Sequence, residues 1–174
     1  MAEALEPREV KGLLVFPGKW EIQYEYAAGK VLSEFFRRLK EGVIVGARCP
    51  SCRRVLMPPR QFCERCMVEI EELVNVKDEG ELLNFIIVYR KFYGLPDPPY
   101  AVGVIRLDGA DEPILHFLGG VDVSSPHRAL RVLKPGIRVK AVWREDRRGS
   151  ILDIRYFKPV GEKGEPLQGS SVRL

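Results

Sequence analysis

The apolar residues of this chain change their period twice, and the changes divide it into parts. Up to residue 26 charges and the prolines Pro7 and Pro17 mix with scattered aromatics. In WEIQYEY the side chains of Trp20, Ile22, Tyr24 and Tyr26 alternate with polar ones, which is the period of extended chain, so residues 1–28 read as an N-terminal extended segment. From Gly29 the spacing becomes helical: Val31, Leu32, Phe35, Phe36 and Leu39 recur at three and four residues. Ser33 and Glu34 stand early, Arg37, Arg38 and Lys40 late, and Gly42 closes. These charges suit a helix dipole, and the pattern predicts an amphipathic helix over 29–42. Its apolar face packs on its own domain or docks a partner, and the adjacent Phe35 and Phe36 are generous enough for a surface helix to make docking an expectation.

Beyond residue 66 the pattern becomes that of strands: VEIEELVNVK, ELLNFIIVYRKF, YAVGVIRLD, PILHFLGGVD, RVKAVWRE and SILDIRYFKPV. Turn-forming sequences separate them, among them KDEG, GLPDPP, DGADE, KPG and EDRRG. Five or six short strands in about ninety residues fit a small antiparallel barrel better than a sandwich, which needs around seven. The five-stranded OB barrel fits best, over 71–160. The Gly- and Ser-rich tail from Gly161 has little to bury and reads as flexible over 161–174. The fold class is therefore mainly β: a helix, a cysteine-bearing module over 43–70 and an OB-fold barrel.

Composition adds limits. In 174 residues, 45% are hydrophobic and 30% charged, the profile of a globular protein with a core of its own. No apolar run approaches the roughly 18 residues of a membrane span, and the acidic start MAEALEPREVKG carries no signal core, so the expected location is the cytoplasm. The net charge of +4 is well short of the basic stripes of nucleic-acid proteins. It suits any anionic partner, a nucleotide-bearing cofactor included.

All four cysteines lie in RCPSCRRVLMPPRQFCERC, as two Cys-x-x-Cys pairs separated by ten residues. Two such turns can converge on one tetrahedral ion with four sulfur ligands, as in a zinc ribbon, with RRVLMPPRQF as the intervening hairpin. Cys49, Cys52, Cys63 and Cys66 are then the ligands of a closed structural site. Disulfides, or thiols that hold no metal, are the other readings; a thioredoxin-like motif would need a βαβ context that the pattern lacks. Arg53 stands where many ribbons place glycine for a left-handed turn, which predicts strain there.

No catalytic constellation emerges. Only His116 and His127 are present, no cysteine lies outside the clip, and no glycine-rich loop opens a helix. His116 reads as a satisfied strand histidine and His127 as exposed. Arg90, Lys91, Phe92, Tyr93 and Tyr100 flank the loop GLPDPP and combine cations with aromatic rings. That chemistry suits single-stranded nucleic acid on an OB face, or an adenine ring with phosphates, or simply a barrel rim.

Taken together, the helix GKVLSEFFRRLKEGVIVGARC, the ribbon CPSCRRVLMPPRQFCERC, PPYAVGVIRLDGADEPILHFLGGVD and the closing VKAVWRE and DIRYFKP resemble the acyl-CoA-associated family that fuses a rubredoxin-like zinc ribbon to an OB-fold. The similarity is greatest to its archaeal members, which accompany thiolases. The resemblance spans roughly Trp20 to Pro159. It implies a non-catalytic scaffold subunit that binds an acetoacetyl-CoA thiolase, bridges it to 3-hydroxy-3-methylglutaryl-CoA synthase at the entry to the mevalonate route, and helps hold the acyl-CoA intermediate. Under it, zinc sits on Cys49, Cys52, Cys63 and Cys66, coenzyme A contacts fall to Arg90, Lys91, Tyr93 and Tyr100, and Phe35 and Phe36 are partner contacts. Arg53 replaces the family's glycine and Glu64 the proline common in the second knuckle. A single-stranded nucleic-acid-binding OB protein is the alternative.

Overall fold

The computed structural model describes residues 7–16 and 22–161. Trp20, the first six residues and residues 162–174, on which the expectations of an alternating WEIQYEY, an acidic start and a flexible tail rest in part, lie outside the described residues. Where extended chain was expected, β1 (Arg8–Val10) and β2 (Leu13–Val15) form a two-stranded hairpin. Lys11 and Gly12 turn it with φ of 52° and 76°, the doubly left-handed turn that matches strand twist.

Helix α1 (Gly29–Glu41) forms as its period demands. Val31, Phe35 and Leu39 make an i, i+4 stripe that is buried, and Gly42 at φ 80° ends it in the left-handed conformation a helix terminus favours, its N–H donating back to Arg38 and Leu39 carbonyls. The ribbon follows: β3 (Ile44–Arg48), β4 (Val55–Leu56), β5 (Phe62–Cys63), β6 (Val68–Glu69) and β7 (Leu73–Val76). The stretch expected as one strand over Val68–Lys77 is thus two. Its second half, β7, pairs with β3 in the sheet β4-β3-β7 rather than with the barrel.

The barrel consists of β8 (Glu79–Val88), β9 (Tyr100–Leu107), β10 (Ile114–Leu118), β11 (Arg138–Trp143) and β12 (Ile154–Val160), closed in the order β10-β12-β11-β8-β9. Closure leaves no open edge, so the interior stays dry without further cover. Gly80 permits the tightest crossing: a Cβ there would lie 2.1 Å from the Arg106 carbonyl oxygen. A short helix α2 (Pro126–Val132), absent from the sequence reading, connects β10 to β11 and buries Ala129. Leu82, Ile105, Leu107, Leu118, Val139 and Phe157 fill the barrel, and the same apolar cluster continues through Val45, Ile44, Leu39 and Phe35, so helix, ribbon sheet and barrel share one core.

Two polar seams fix the modules to one another. Arg54 bridges Glu64 and Glu112, Arg60 also pairs with Glu112, and Val55 and Asp111 exchange two bonds, N–H to Oδ2 at 2.7 Å and N–H to O at 3.0 Å. These tie the ribbon hairpin to the β9–β10 turn. At the other seam Arg147 donates through Nε to the Lys40 carbonyl at the C-terminus of α1 (2.9 Å), where a cation is favoured. The loop bearing Arg147 is shaped by Asp153, a buried carboxylate that accepts the amides of Arg148, Gly149 and Ser150. Burial pushes its carboxyl up, but the three amides outweigh that and hold it below the usual carboxylate range.

A depressed acid contributes stability that is present above its unfolded pKa and lost as pH falls through the folded one. Asp153→Ala, which orphans three amides, is expected to lower the unfolding free energy in urea by about 2–3 kcal/mol at neutral pH. The difference between variant and wild type should shrink as the pH is taken below that of an ordinary carboxylate; a gap that stays constant would remove Asp153 as the cause.

Candidate metal centre and barrel groove

Two knuckles bring the cysteines together. In the first, the Arg53 N–H donates to the Cys49 carbonyl (3.0 Å) and the Cys52 N–H points at Cys49 Sγ (3.4 Å). In the second, the Met67 N–H donates to the Cys63 carbonyl (2.8 Å). Both turns end on a left-handed residue, Arg53 at φ 63° and Met67 at φ 53°. The strain expected at Arg53 is therefore present, and Met67 repeats it in the second knuckle, a position the sequence reading did not single out.

The four sulfurs lie within 4.8 Å of one another, and Cys52 and Cys63 Sγ are 3.9 Å apart. A tetrahedral ion with sulfurs at about 2.3 Å sets them about 3.8 Å from each other, so the donors fit a single zinc. Electrostatics point the same way. Burial opposes a Cys49 thiolate, but the amides of Cys52 and Ser51 outweigh it and draw the thiol down to about 6. At Cys52 the Arg54 amide favours the anion, yet burial and the neighbouring sulfurs push the thiol up to about 11. Several thiolates this close coexist only around a cation. Cys49 and Cys63 are fully buried with Ala47, Leu56 and Ile70, Cys52 and Cys66 are half-buried, and four sulfurs would complete the tetrahedral shell of one ion.

The other expected site residues are rearranged by the fold. Phe35 is only 2% exposed and lies in the core with Leu39, and Phe36 packs against that core, so the expected docking pair is a packing pair: the helix lands on its own domain. Arg90, Lys91 and Tyr93 are exposed on the β8–β9 loop, with Lys91 paired to Asp97 across it, whereas Tyr100 is buried edge-on to Phe117 at 5.8 Å. Of the four expected coenzyme A contacts, Tyr100 lines the groove described next, and Arg90, Lys91 and Tyr93 stand on the loop that supplies its Phe92 and Leu95. His116 is buried between Phe117 and Phe157. Its Nδ1 accepts the Phe117 N–H (2.9 Å), which leaves Nε2 to donate to the Ile151 carbonyl (3.2 Å). Burial holds its pKa down, consistent with a neutral structural histidine. His127 is exposed.

Beneath the β8–β9 loop the structure shows a feature that charge and aromatic counts missed. A groove of about 430 Å³ lies on the outer barrel face, floored by Tyr100, Val102 and Phe117 and walled by Phe92 and Leu95 on one side and Ile151 and Leu152 on the other. The signal was in the pattern. Ile86, Val102 and Phe117 stand in register across β8, β9 and β10, as do Val104 and Leu115 across β9 and β10, so the outward face is apolar as well as the inward one.

Comparison with known proteins matches both modules. The family model of the ChsH2 rubredoxin-like zinc ribbon domain matches residues 36–69, and that of the ChsH2 C-terminal OB-fold domain matches residues 73–144. A DUF35 domain-containing scaffold protein of Methanocaldococcus jannaschii is 26% identical, the alignment covering 75% of this chain and 92% of that protein. Among solved structures, a protein of unknown function from the DUF35 family of Sulfolobus solfataricus is 25% identical with a TM-score of 0.53, over 75% of this chain and 84% of that one. A chain described as Ltp2-ChsH2(DUF35) aldolase has a TM-score of 0.57 at 19% identity, over 78% and 98%.

Purified chain is expected to carry one zinc by elemental analysis, and Cys63→Ser to lose it together with the ribbon's protection from proteolysis. Relief of the left-handed strain by Arg53→Gly should raise stability by about 1 kcal/mol in urea, since the Arg53 ion pair with Glu72 at 3.8 Å is exposed. Unchanged or lower stability would show that the knuckle carries no strain.

Proposed function

Because the chain belongs, through both of its domains, to the ChsH2-type zinc-ribbon/OB-fold proteins, we propose that it is a non-catalytic scaffold subunit of an acyl-CoA-processing assembly. In this reading it binds a thiolase, acetoacetyl-CoA thiolase bridged to 3-hydroxy-3-methylglutaryl-CoA synthase, and helps hold the acyl-CoA passed between them. The observation that carries it is the 26% identity to a scaffold protein over 92% of that relative's length. The chemistry of the described residues is in keeping with it. The four sulfurs face one another in a closed cluster, and His116 has both ring nitrogens engaged by backbone groups. No Lys or Arg is among the residues that line the barrel groove, although Arg144 and Arg155 line a neighbouring one, so this groove by itself is a poor track for single-stranded nucleic acid.

With Phe35 in the core, the N-terminal hairpin is the better docking element. All six of its strand residues are exposed, Leu13 and Leu14 at 69% and 66%, and an isolated two-stranded hairpin is marginal without support. Ile22, Tyr24 and Tyr26 extend the exposed apolar surface beyond it.

Co-expression with an acetoacetyl-CoA thiolase and the synthase, followed by gel filtration, is expected to give a single complex. Deletion of residues 1–28 should abolish co-elution of the thiolase while leaving the thermal transition of the remaining chain within a few degrees of the original. Elution of the intact chain apart from both enzymes would overturn the reading.

A further inference from the structure

The two knuckles do not shield their four cysteines equally. Cys49 and Cys63, the first of each pair, are fully buried, whereas Cys52 and Cys66, the second of each pair, are half-buried. One side of the sulfur cluster therefore meets water, and a small polar solute reaches Cys52 or Cys66 there while the other two sulfurs stay covered. Each half-buried cysteine is also followed directly by a left-handed residue, Arg53 at φ 63° and Met67 at φ 53°. Those turns are held against their own preference, so they have somewhere to relax once a sulfur leaves its ligand position.

A partner for an altered Cys52 lies in the other knuckle. Its Sγ is 3.9 Å from Cys63 Sγ, so an approach of about 2 Å brings the pair to the length of a disulfide. Arg53 follows Cys52, and relaxation of its turn supplies movement at that place. A Cys52–Cys63 bond would leave only Cys49 and Cys66 for an ion that takes four sulfurs in a closed site. It would also tie the knuckles directly, with Arg54 and Arg60, the partners of Glu112, inside the closed loop. Ile44, Val45, Val55 and Met57 belong to the core shared with the barrel, which keeps the rest of the ribbon in place in either state.

We propose that the four-cysteine clip is a reversible thiol–disulfide switch, with Cys52 the residue oxidised and Cys63 the one that resolves it. Hydrogen peroxide is the oxidant. The Cys52 thiolate attacks one peroxide oxygen, the O–O bond breaks, and a sulfenic acid and hydroxide result. The Cys63 thiolate then attacks the Cys52 sulfur, the S–O bond breaks, and a disulfide and a second hydroxide form. Two thiolates have then given up two electrons, and one peroxide has accepted them. Cys49 and Cys66 no longer hold the ion, and a thiol reductant with fresh zinc restores the site. The switch stands on the cysteine geometry and is independent of the scaffold reading.

Trypsin divides the four cysteines among three fragments, which makes the pairing readable. CPSCR holds Cys49 and Cys52, QFCER holds Cys63, and CMVEIEELVNVK holds Cys66 and Met67. The zinc-loaded full chain is treated with hydrogen peroxide. Zinc release is followed with a chromogenic chelator, free thiols by titration in denaturant, and the cross-link by mass spectrometry of the fragments. The expected result is loss of the bound zinc, a fall from four free thiols to two, and CPSCR joined to QFCER with the bond on Cys52. Dithiothreitol and zinc should return all four thiols and the ion. Met67→Leu should release zinc at an unchanged rate, because Met67, 82% exposed beside Cys66, is the competing site of oxidation. Zinc retained under excess peroxide, or no zinc taken up by the chain at all, overturns the switch. So does a main product bonded within one knuckle, either inside CPSCR or between QFCER and CMVEIEELVNVK. Release that fails in Met67→Leu, or that dithiothreitol and zinc do not reverse, overturns it as well.

Discussion

Four thiols held within 4.8 Å of one another cannot all ionise unless a cation sits among them, and the ribbon depends on that constraint. Around the buried Cys49 and Cys63 the apolar side chains are few, Ala47, Leu56 and Ile70, while Ile44, Val45, Val55 and Met57 of the ribbon pack into the core shared with the barrel. Metal–sulfur bonds on these four cysteines would add to that packing at the knuckle end, as in other small zinc modules. They would also hold Arg53 and Met67 in left-handed conformations that an unconstrained chain would leave. The strain and the metal are two sides of one device: the turns that aim the sulfurs are the turns that L-residues resist.

From that anchor the order propagates by contact. A rigid ribbon hairpin presents Arg54 and Arg60 to Glu112 and lines up Val55 with Asp111, so the β9–β10 turn of the barrel is registered against the metal module. Helix α1 buries Phe35 and Leu39 in the core shared with the ribbon sheet and the barrel, and Arg147 returns from the barrel to the helix C-terminus. Ribbon and barrel, and helix and barrel, are thus joined by apolar packing and by at least one charged side chain on a carboxylate or a backbone carbonyl. The exposed pairs along α1, such as Arg37 with Glu34, contribute little by comparison.

How much of this was legible follows from which residues carry a local rule. The helix, the barrel strands and the cysteine knuckles were readable because period, turn residues and ligand spacing are properties of neighbours in sequence. Phe35 was misassigned for the opposite reason. An amphipathic stripe says that a face is covered, and only tertiary packing says by what. Helix α2 escaped because SSPHRALRV offers seven helical residues and one buried one, below the length at which a helical period stands out. β7 joined the ribbon because pairing of Ile44 with Val76 across more than thirty residues has no local signature.

The outer barrel trough shows where sequence patterning and structure must be combined. FIIV, YAVGVI and ILHFL are apolar on both strand faces, a pattern that alone means only that both faces are covered. Closure of the barrel covers the inner face, since Leu82, Ile105 and Phe157 fill it. The outer face therefore cannot owe its composition to folding: Ile86 and Leu115 in place of polar residues add nothing to a core they do not touch and leave hydrocarbon in water. A stable barrel with polar residues at these positions would have been easier to keep soluble. In the ribbon, Arg54 and Arg60 are paired with Glu112, and Cys49 and Cys63 are buried while Cys52 and Cys66 are half-buried. Large apolar side chains in water are not confined to the outer barrel face: Phe62 and Met67 in the ribbon and Leu13 and Leu14 on the N-terminal hairpin share the property, so each of these surfaces gains from being covered.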